Sequence, residues 1–251
     1  ADGQKVTNVG GGQNEYAIES VFARFNYDYK ERYLFEFNGR YDGTSRFSPQ
    51  SRWGVFWSAG ASWRINNEEF LKDVRWIDNL KLKASYGAVG NDGLSSWYCY
   101  QGLYSTGYND MDNAGVVISR LPNAGLQWET NLQMNVGIDF ALFRKLSGSI
   151  EYFDRRSKDL LFTMPMAPST GFSGIERNVG DVSNYGVEFV LDYAVVNNQN
   201  FQWNMNFNLT HYENVITSLP QAEISAGVFK WREGQSRYNF WGAKYAGVNP
   251  A

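Results

Sequence analysis

Phe201-Gln202-Trp203-Asn204-Met205-Asn206-Phe207-Asn208-Leu209-Thr210 alternates apolar and polar side chains without a break. Successive side chains of a β-strand point to opposite faces, so this run has one apolar face and one polar face. The pattern recurs at 132–140, where Leu132, Met134, Val136, Ile138 and Phe140 alternate with Gln133, Asn135, Gly137 and Asp139. Looser alternation runs near 19–29, 33–42, 53–64, 80–89, 146–155, 185–193 and 237–246. The periodicity predicts about nine antiparallel strands of about ten residues each. Strands of soluble proteins run about 5–6 residues, whereas a tilted strand needs about 9–11 to cross a bilayer.

Composition points the same way. Aromatics make up 17% of the 251 residues, yet the mean hydropathy is −0.46. Large rings therefore coexist with abundant polar residues, as expected where each strand has an apolar side and a wet side. No apolar run reaches the 18 residues of a membrane-spanning helix, which leaves strand crossing untouched. A net charge of −3 offers no basic footprint for nucleic acid. The N-terminal Ala1-Asp2-Gly3-Gln4-Lys5 lacks the charged head and apolar stretch of a signal peptide. Cys99 is alone and His211 is the single histidine, so neither an intrachain disulfide nor a structural zinc site is expected.

The links sort by length. Compact ones fall at 30–32, 66–79, 141–145 and 194–200; long Gly-, Ser- and Asn-rich ones fall at 43–52, 90–127, 156–184 and 212–236. Outer-membrane barrels have this asymmetry, with short periplasmic turns and long extracellular loops. Tyr27, Tyr29 and Tyr33 flank the first compact turn, where amphipathic rings suit a membrane interface. In the second, Phe70, Leu71, Val74 and Ile77 follow Asn67 at helical spacing, which predicts a short amphipathic helix against the rim.

Several stretches resemble the starch-utilisation (SusC-like) outer-membrane transporters of the Bacteroidetes, a branch of the TonB-dependent receptors. They are Arg40-Tyr41-Asp42-Gly43-Thr44-Ser45-Arg46-Phe47, Trp63-Arg64-Ile65 with Glu69-Phe70-Leu71, and Leu80-Lys81-Leu82-Lys83-Ala84-Ser85-Tyr86-Gly87 with Gly90-Asn91. Leu126-Gln127-Trp128-Glu129-Thr130, Ser157-Lys158-Asp159-Leu160-Leu161, Asn178-Val179-Gly180, Gly186-Val187-Glu188 and Ala246-Gly247-Val248-Asn249-Pro250 follow in order. The resemblance implies an all-β, antiparallel transmembrane barrel of about 22 strands around a plug. Residues 1–251 would form part of that one barrel domain. Neither plug nor closing strands are recognisable, so the chain is expected to be an internal portion of a longer polypeptide. The resemblance further implies a bacterial outer-membrane location and TonB-dependent import of oligosaccharide or peptide. It also implies a SusD-like surface lipoprotein as partner and contact with TonB through the plug.

Bond chemistry finds little support, and an enzyme is not expected. His211 beside Tyr212 and Glu213 has no second histidine and no Gly-x-Ser-x-Gly elbow. Gly10-Gly11-Gly12 lacks the Lys-Ser/Thr of a phosphate loop. Asp110-Met111-Asp112-Asn113-Ala114-Gly115 opens like a calcium loop but has Ala114 at the fifth position and Leu121 at the twelfth. No cofactor is expected; a looser oxygen-rich calcium site stays open there beside a plain solvated loop. Trp97, Tyr98, Tyr100, Tyr104 and Tyr108 crowd one polar loop. They are the candidate substrate contacts, since flat rings stack on sugar faces, and the bland alternative is that they pack the loop. A lumen-facing set includes Arg24, Asn26, Asp28, Glu36, Asn38, Arg40, Gln133, Asn135, Asn204 and Asn206. The rival to a transporter is a secreted soluble all-β carbohydrate-binding or adhesin domain, which would need a second sheet to cover the apolar faces.

Overall fold

The computed structural model describes residues 11–111, 113–245 and 247. Eight long strands form one antiparallel sheet: β1 (Ile18–Tyr29), β2 (Tyr33–Thr44), β3 (Trp53–Arg64), β4 (Ile77–Asn91), β7 (Glu129–Leu142), β8 (Leu146–Lys158), β11 (Asp181–Asn197) and β12 (Gln202–Ser218). Their order is β1-β2-β3-β4-β7-β8-β11-β12, so each pairs with its neighbours in the chain. Two-stranded hairpins rise from the long links: β5 (Leu103–Thr106) with β6 (Val116–Arg120), β9 (Leu161–Pro165) with β10 (Gly174–Asn178), and β13 (Ile224–Ala226) with β14 (Phe229–Trp231). The long strands have 12 to 17 residues, more than a crossing requires. β2, β8 and β12 overrun the alternating stretches at the long-link end, and β4, β7 and β11 do so at both ends.

The sheet is a single layer. On one face Phe25 aligns with Phe37 and Ala59, while Val136 aligns with Ala84 and Tyr152. Phe25, Val55 and Phe207 remain 62%, 71% and 53% exposed, and among the described residues no second sheet covers them. A row of such residues in water would be an aggregation surface. In hydrocarbon it is the required surface, since the paired backbone buries its own polar groups. Rings band both ends of this face: Tyr29, Tyr33 and Trp63 stack in series at 6.5 and 6.3 Å, and Tyr41 stacks on Trp53 at 4.7 Å.

The short-turn end is tightly made. Lys30–Glu31 and Phe143–Arg144 each hold two successive residues at φ between 53° and 57°, a left-handed pair whose twist suits antiparallel strands. Carboxylates brace both turns, Asp28 accepting from Glu31 N at 2.8 Å and Asp78 from Arg144 N at 2.6 Å. The helix expected after Asn67 is replaced by two single 3₁₀ turns, Ile65–Asn67 and Glu69–Leu71. Neither has a side-chain cap, because the groups that would cap a helix are used elsewhere. The Asn67 amide donates to Glu31 O, and Glu68 accepts from Trp63 Nε1, the Tyr33 hydroxyl and Arg32. Phe70 stays exposed and Ile77 opens β4.

The strand expected at 237–246 does not form over its described residues, which carry only an isolated bridge between Phe240 and Phe229. Alternation there lacks a ladder partner. The backbone instead bonds to the β13–β14 hairpin, Lys230 N to Asn239 O at 3.3 Å and Trp241 N to Val228 O at 2.8 Å. Residue 246 and the family-like stretch 248–250 lie outside the described residues, as does Asp112 of the calcium-like loop.

Candidate functional site

The long links fold onto one another in a collar at one end of the sheet. Its core is Phe47, Cys99 and Leu126, with Leu94, Tyr100, Trp128 and Leu161 packed around it. Trp128 is the keystone: its ring meets Phe47 and Phe56 edge-on at 5.6 and 5.2 Å, and its Nε1 donates to Arg52 O at 2.9 Å. Phe56 occupies the space over Gly90, where an added Cβ would lie 2.1 Å from its ring. Buried Glu129 accepts from Asn91, Asn131 and Leu161 N. Asn178 ties the β9–β10 hairpin to the preceding loop through both the amide and the carbonyl of Gln127. The family-like stretches at 40–47, 90–91, 126–130, 157–161 and 178–180 meet here.

The five candidate rings divide. Trp97 faces inward, its ring 4.8 Å from Tyr16, with the Arg46 guanidinium 4.2 Å from Trp97 and 4.7 Å from Tyr16. Arg46 also donates to Asp92 O, while the Tyr16 and Thr44 hydroxyls donate to the Asp92 carboxylate at 2.9 and 2.7 Å. Partial burial, and then the hydrogen bond to Asp92, push the Tyr16 phenol pKa upward. Tyr98 accepts from Glu15 N, and Tyr100 packs on the buried core. Tyr104 and Tyr108 stand 65% and 60% exposed on the β5–β6 arm. Sequence reasoning passed over Tyr16 and Asp92. The stretches at 40–47 and 90–91 marked their neighbourhood, but no local pattern signals a junction drawn from three separate links.

The inner face is polar and cross-linked. Arg24 pairs with Glu36 at 2.7 Å, and Asn38 donates to Glu36 and Ser58. Lys83 reaches both Asp139 and Glu151, and Lys81 also reaches Asp139. The whole lumen-facing set predicted above lies on this side by register. Among the described residues no cluster of His, Cys, Asp and Glu suited to a metal ion occurs.

A family model described as TonB dependent receptor-like, beta-barrel, matches residues 2–250. The chain belongs to that family. TonB-dependent receptor P3 of Formosa agariphila is 35% identical over 250 residues, covering 94% of this chain and 25% of the relative. TonB-dependent receptor SusC of Bacteroides thetaiotaomicron is 34% identical over 216 residues, covering 83% of this chain and 22% of the relative. Among solved structures, the RagAB peptide importer in its closed-closed state superposes with a TM-score of 0.88 at 31% identity, over 94% of this chain and 26% of that one. The chain thus spans about a quarter of the length of these relatives. It is a SusC-like portion of a TonB-dependent barrel wall and resides in the bacterial outer membrane. The apolar face therefore meets lipid, the collar is extracellular and the short turns are periplasmic.

Proposed function

We propose that the protein containing this chain imports oligosaccharide or peptide nutrients across the outer membrane, driven by TonB, and that this chain supplies wall, lumen surface and part of the mouth. The observation that carries the proposal is the pairing of a lipid-facing apolar sheet with a collar of interlocked extracellular links over a polar inner face. Such a wall bounds a passage. Kinship with SusC and RagAB favours a SusD-like lipoprotein as the partner over the mouth, and a plug that answers to TonB. In this scheme Tyr104 and Tyr108 present ring faces to ligand, while Trp97, Tyr98 and Tyr100 hold the loop that carries them.

Deleting the full-length gene in its native bacterium tests the proposal. Depletion of maltodextrins and of casein-derived peptides from the medium is followed in the deletion and parent strains. Loss of uptake of one class, reproduced by a protonophore, supports import. Unchanged uptake of both overturns it for these nutrients.

A further inference from the structure

A cavity of about 260 Å³ opens between the collar and the extracellular ends of β11 and β12. Its floor is Val182 and Ile216, its walls are Leu160 and Phe162 at the foot of the β9–β10 hairpin, and its roof is Ile224 and Trp231. Ile216 and Ile224 are almost fully buried. The roof is rigidly mounted: Glu223 pairs with Lys230 at 2.7 Å and Arg232 at 2.8 Å, and both cations lie against the Trp241 ring. Those two cations hold the Glu223 carboxyl below its ordinary pKa.

Polar side chains also line the cavity: Glu129, Ser157, Asp181, Ser218 and the exposed Arg237. Trp231 Nε1 is buried without a hydrogen-bond acceptor among the described residues. The Arg237 guanidinium lies 5.2 Å from the Trp231 ring centre and pairs with no carboxylate among them. The carboxylates at the edge are already engaged, Glu129 by Asn91, Asn131 and Leu161 N, and Asp181 by Asp159 N. Trp231 Nε1 has no exposed surface and is out of a ligand's reach, whereas Arg237 is exposed.

From this geometry we infer that the cavity is a subsite for one apolar side chain of an imported peptide, with the exposed Arg237 guanidinium attracting the carbonyl or carboxylate oxygens of the adjoining peptide. This inference rests on the import proposal and narrows its ligand. The volume is below the about 300–1,000 Å³ of pockets that enclose whole ligands, so it admits a single group. A pyranose would bring several hydroxyls against walls that offer them few partners, and buried hydroxyls without partners oppose binding.

The test uses the full-length transporter with its surface partner in detergent and isothermal calorimetry. The probes are two short glycine–serine peptides that differ by one central leucine or serine, and maltoheptaose. The leucine peptide is expected to bind about tenfold more tightly than the serine peptide. Val182→Trp, which fills the cavity, abolishes that preference; Arg237→Gln, which deletes the charge, weakens leucine-peptide binding about threefold. Heat-modifiable gel mobility confirms assembly of both variants. Equal binding of the two peptides, a preference that survives Val182→Trp in assembled protein, or maltoheptaose binding that Val182→Trp removes would each overturn the subsite. An uptake defect on gene deletion without leucine preference overturns the subsite and leaves import standing, whereas no uptake defect removes both.

Discussion

Lys83 Nζ lies 2.9 Å from Glu151 Oε2 across Gly137, the residue that pairs with both in the ladder. The glycine is what makes the crossing feasible. A Cβ at 137 would stand 3.1 Å from Lys83 Cε and 2.8 Å from Ile150 O. Gly137→Val is therefore expected to displace the ammonium and leave Glu151 opposite Glu188, its partner on β11, without a countercharge. Overpacking of this kind costs about 1–3 kcal/mol, read as a lower urea midpoint for the full-length barrel in detergent. An unchanged midpoint would mean that Lys83 is not held through the gap.

Sidedness gives a sharper contrast between adjacent residues. Val136 faces lipid and Asn135 faces the lumen, where it donates to Ser85 Oγ at 3.4 Å. Val136→Arg should cost about 2–4 kcal/mol if it lies near the bilayer midplane, while Asn135→Arg should change folding stability far less. The measurement is equilibrium unfolding of the full-length protein in lipid vesicles. Equal losses at the two positions would contradict the in–out assignment.

At the periplasmic rim, Glu68 accepts hydrogen bonds from Trp63 Nε1 and the Tyr33 hydroxyl, and pairs with Arg32 at 3.2 Å. These partners, the Trp63 bond foremost, hold its carboxyl below the ordinary glutamate range. A carboxyl that loses its proton more readily when folded stabilises the fold above its unfolded pKa, about 4.3. That contribution fades as pH falls through the lower folded value. Wild type should thus melt above Glu68→Gln at pH 7, and the gap should narrow as pH falls below about 4.3. A gap independent of pH would assign the effect of the substitution to packing.

In the collar, Trp97→Ala removes one of the two rings that the Arg46 guanidinium lies against, and Arg46 Nε is already buried without a partner among the described residues. Cation–ring contacts contribute about 0.5–2 kcal/mol, so the 92–128 loop should open more often. Proteinase added to intact cells should then cleave that loop several-fold faster than in wild type. Tyr104→Ala, altering an exposed ring on the arm, should leave the cleavage rate unchanged. Equal resistance of wild type and Trp97→Ala would deny Trp97 the bracing role.

What could be read from residues alone follows the reach of each interaction. Alternation from Phe201 to Thr210 marks β12 because facing one solvent on each side is a property of the strand itself. The same argument places Asn135 and Val136 on opposite faces. It misleads at 237–246, since alternation does not supply the ladder partner a strand requires. The β5–β6 and β9–β10 hairpins escaped because their support is remote: Asn123 Nδ2 donates to Glu176 O, and Asn178 Nδ2 to Gln127 O. Likewise, the crowding of Trp97 with Tyr98 and Tyr100 was visible, but nothing local tells a ring stacked on Arg46 from one offered to a sugar.

The unbroken neighbour-to-neighbour order of the eight long strands also bears on how such walls change size over evolutionary time. Removing or duplicating one strand would reverse every later strand's direction and move every later link to the opposite end of the wall. Removing or duplicating a hairpin, such as β7 with β8, keeps each later strand's direction and alternation intact. The unit of growth for this architecture is therefore two strands and their turn. Barrels of differing circumference can descend from one another by copying hairpins, with the outer links free to diverge afterwards.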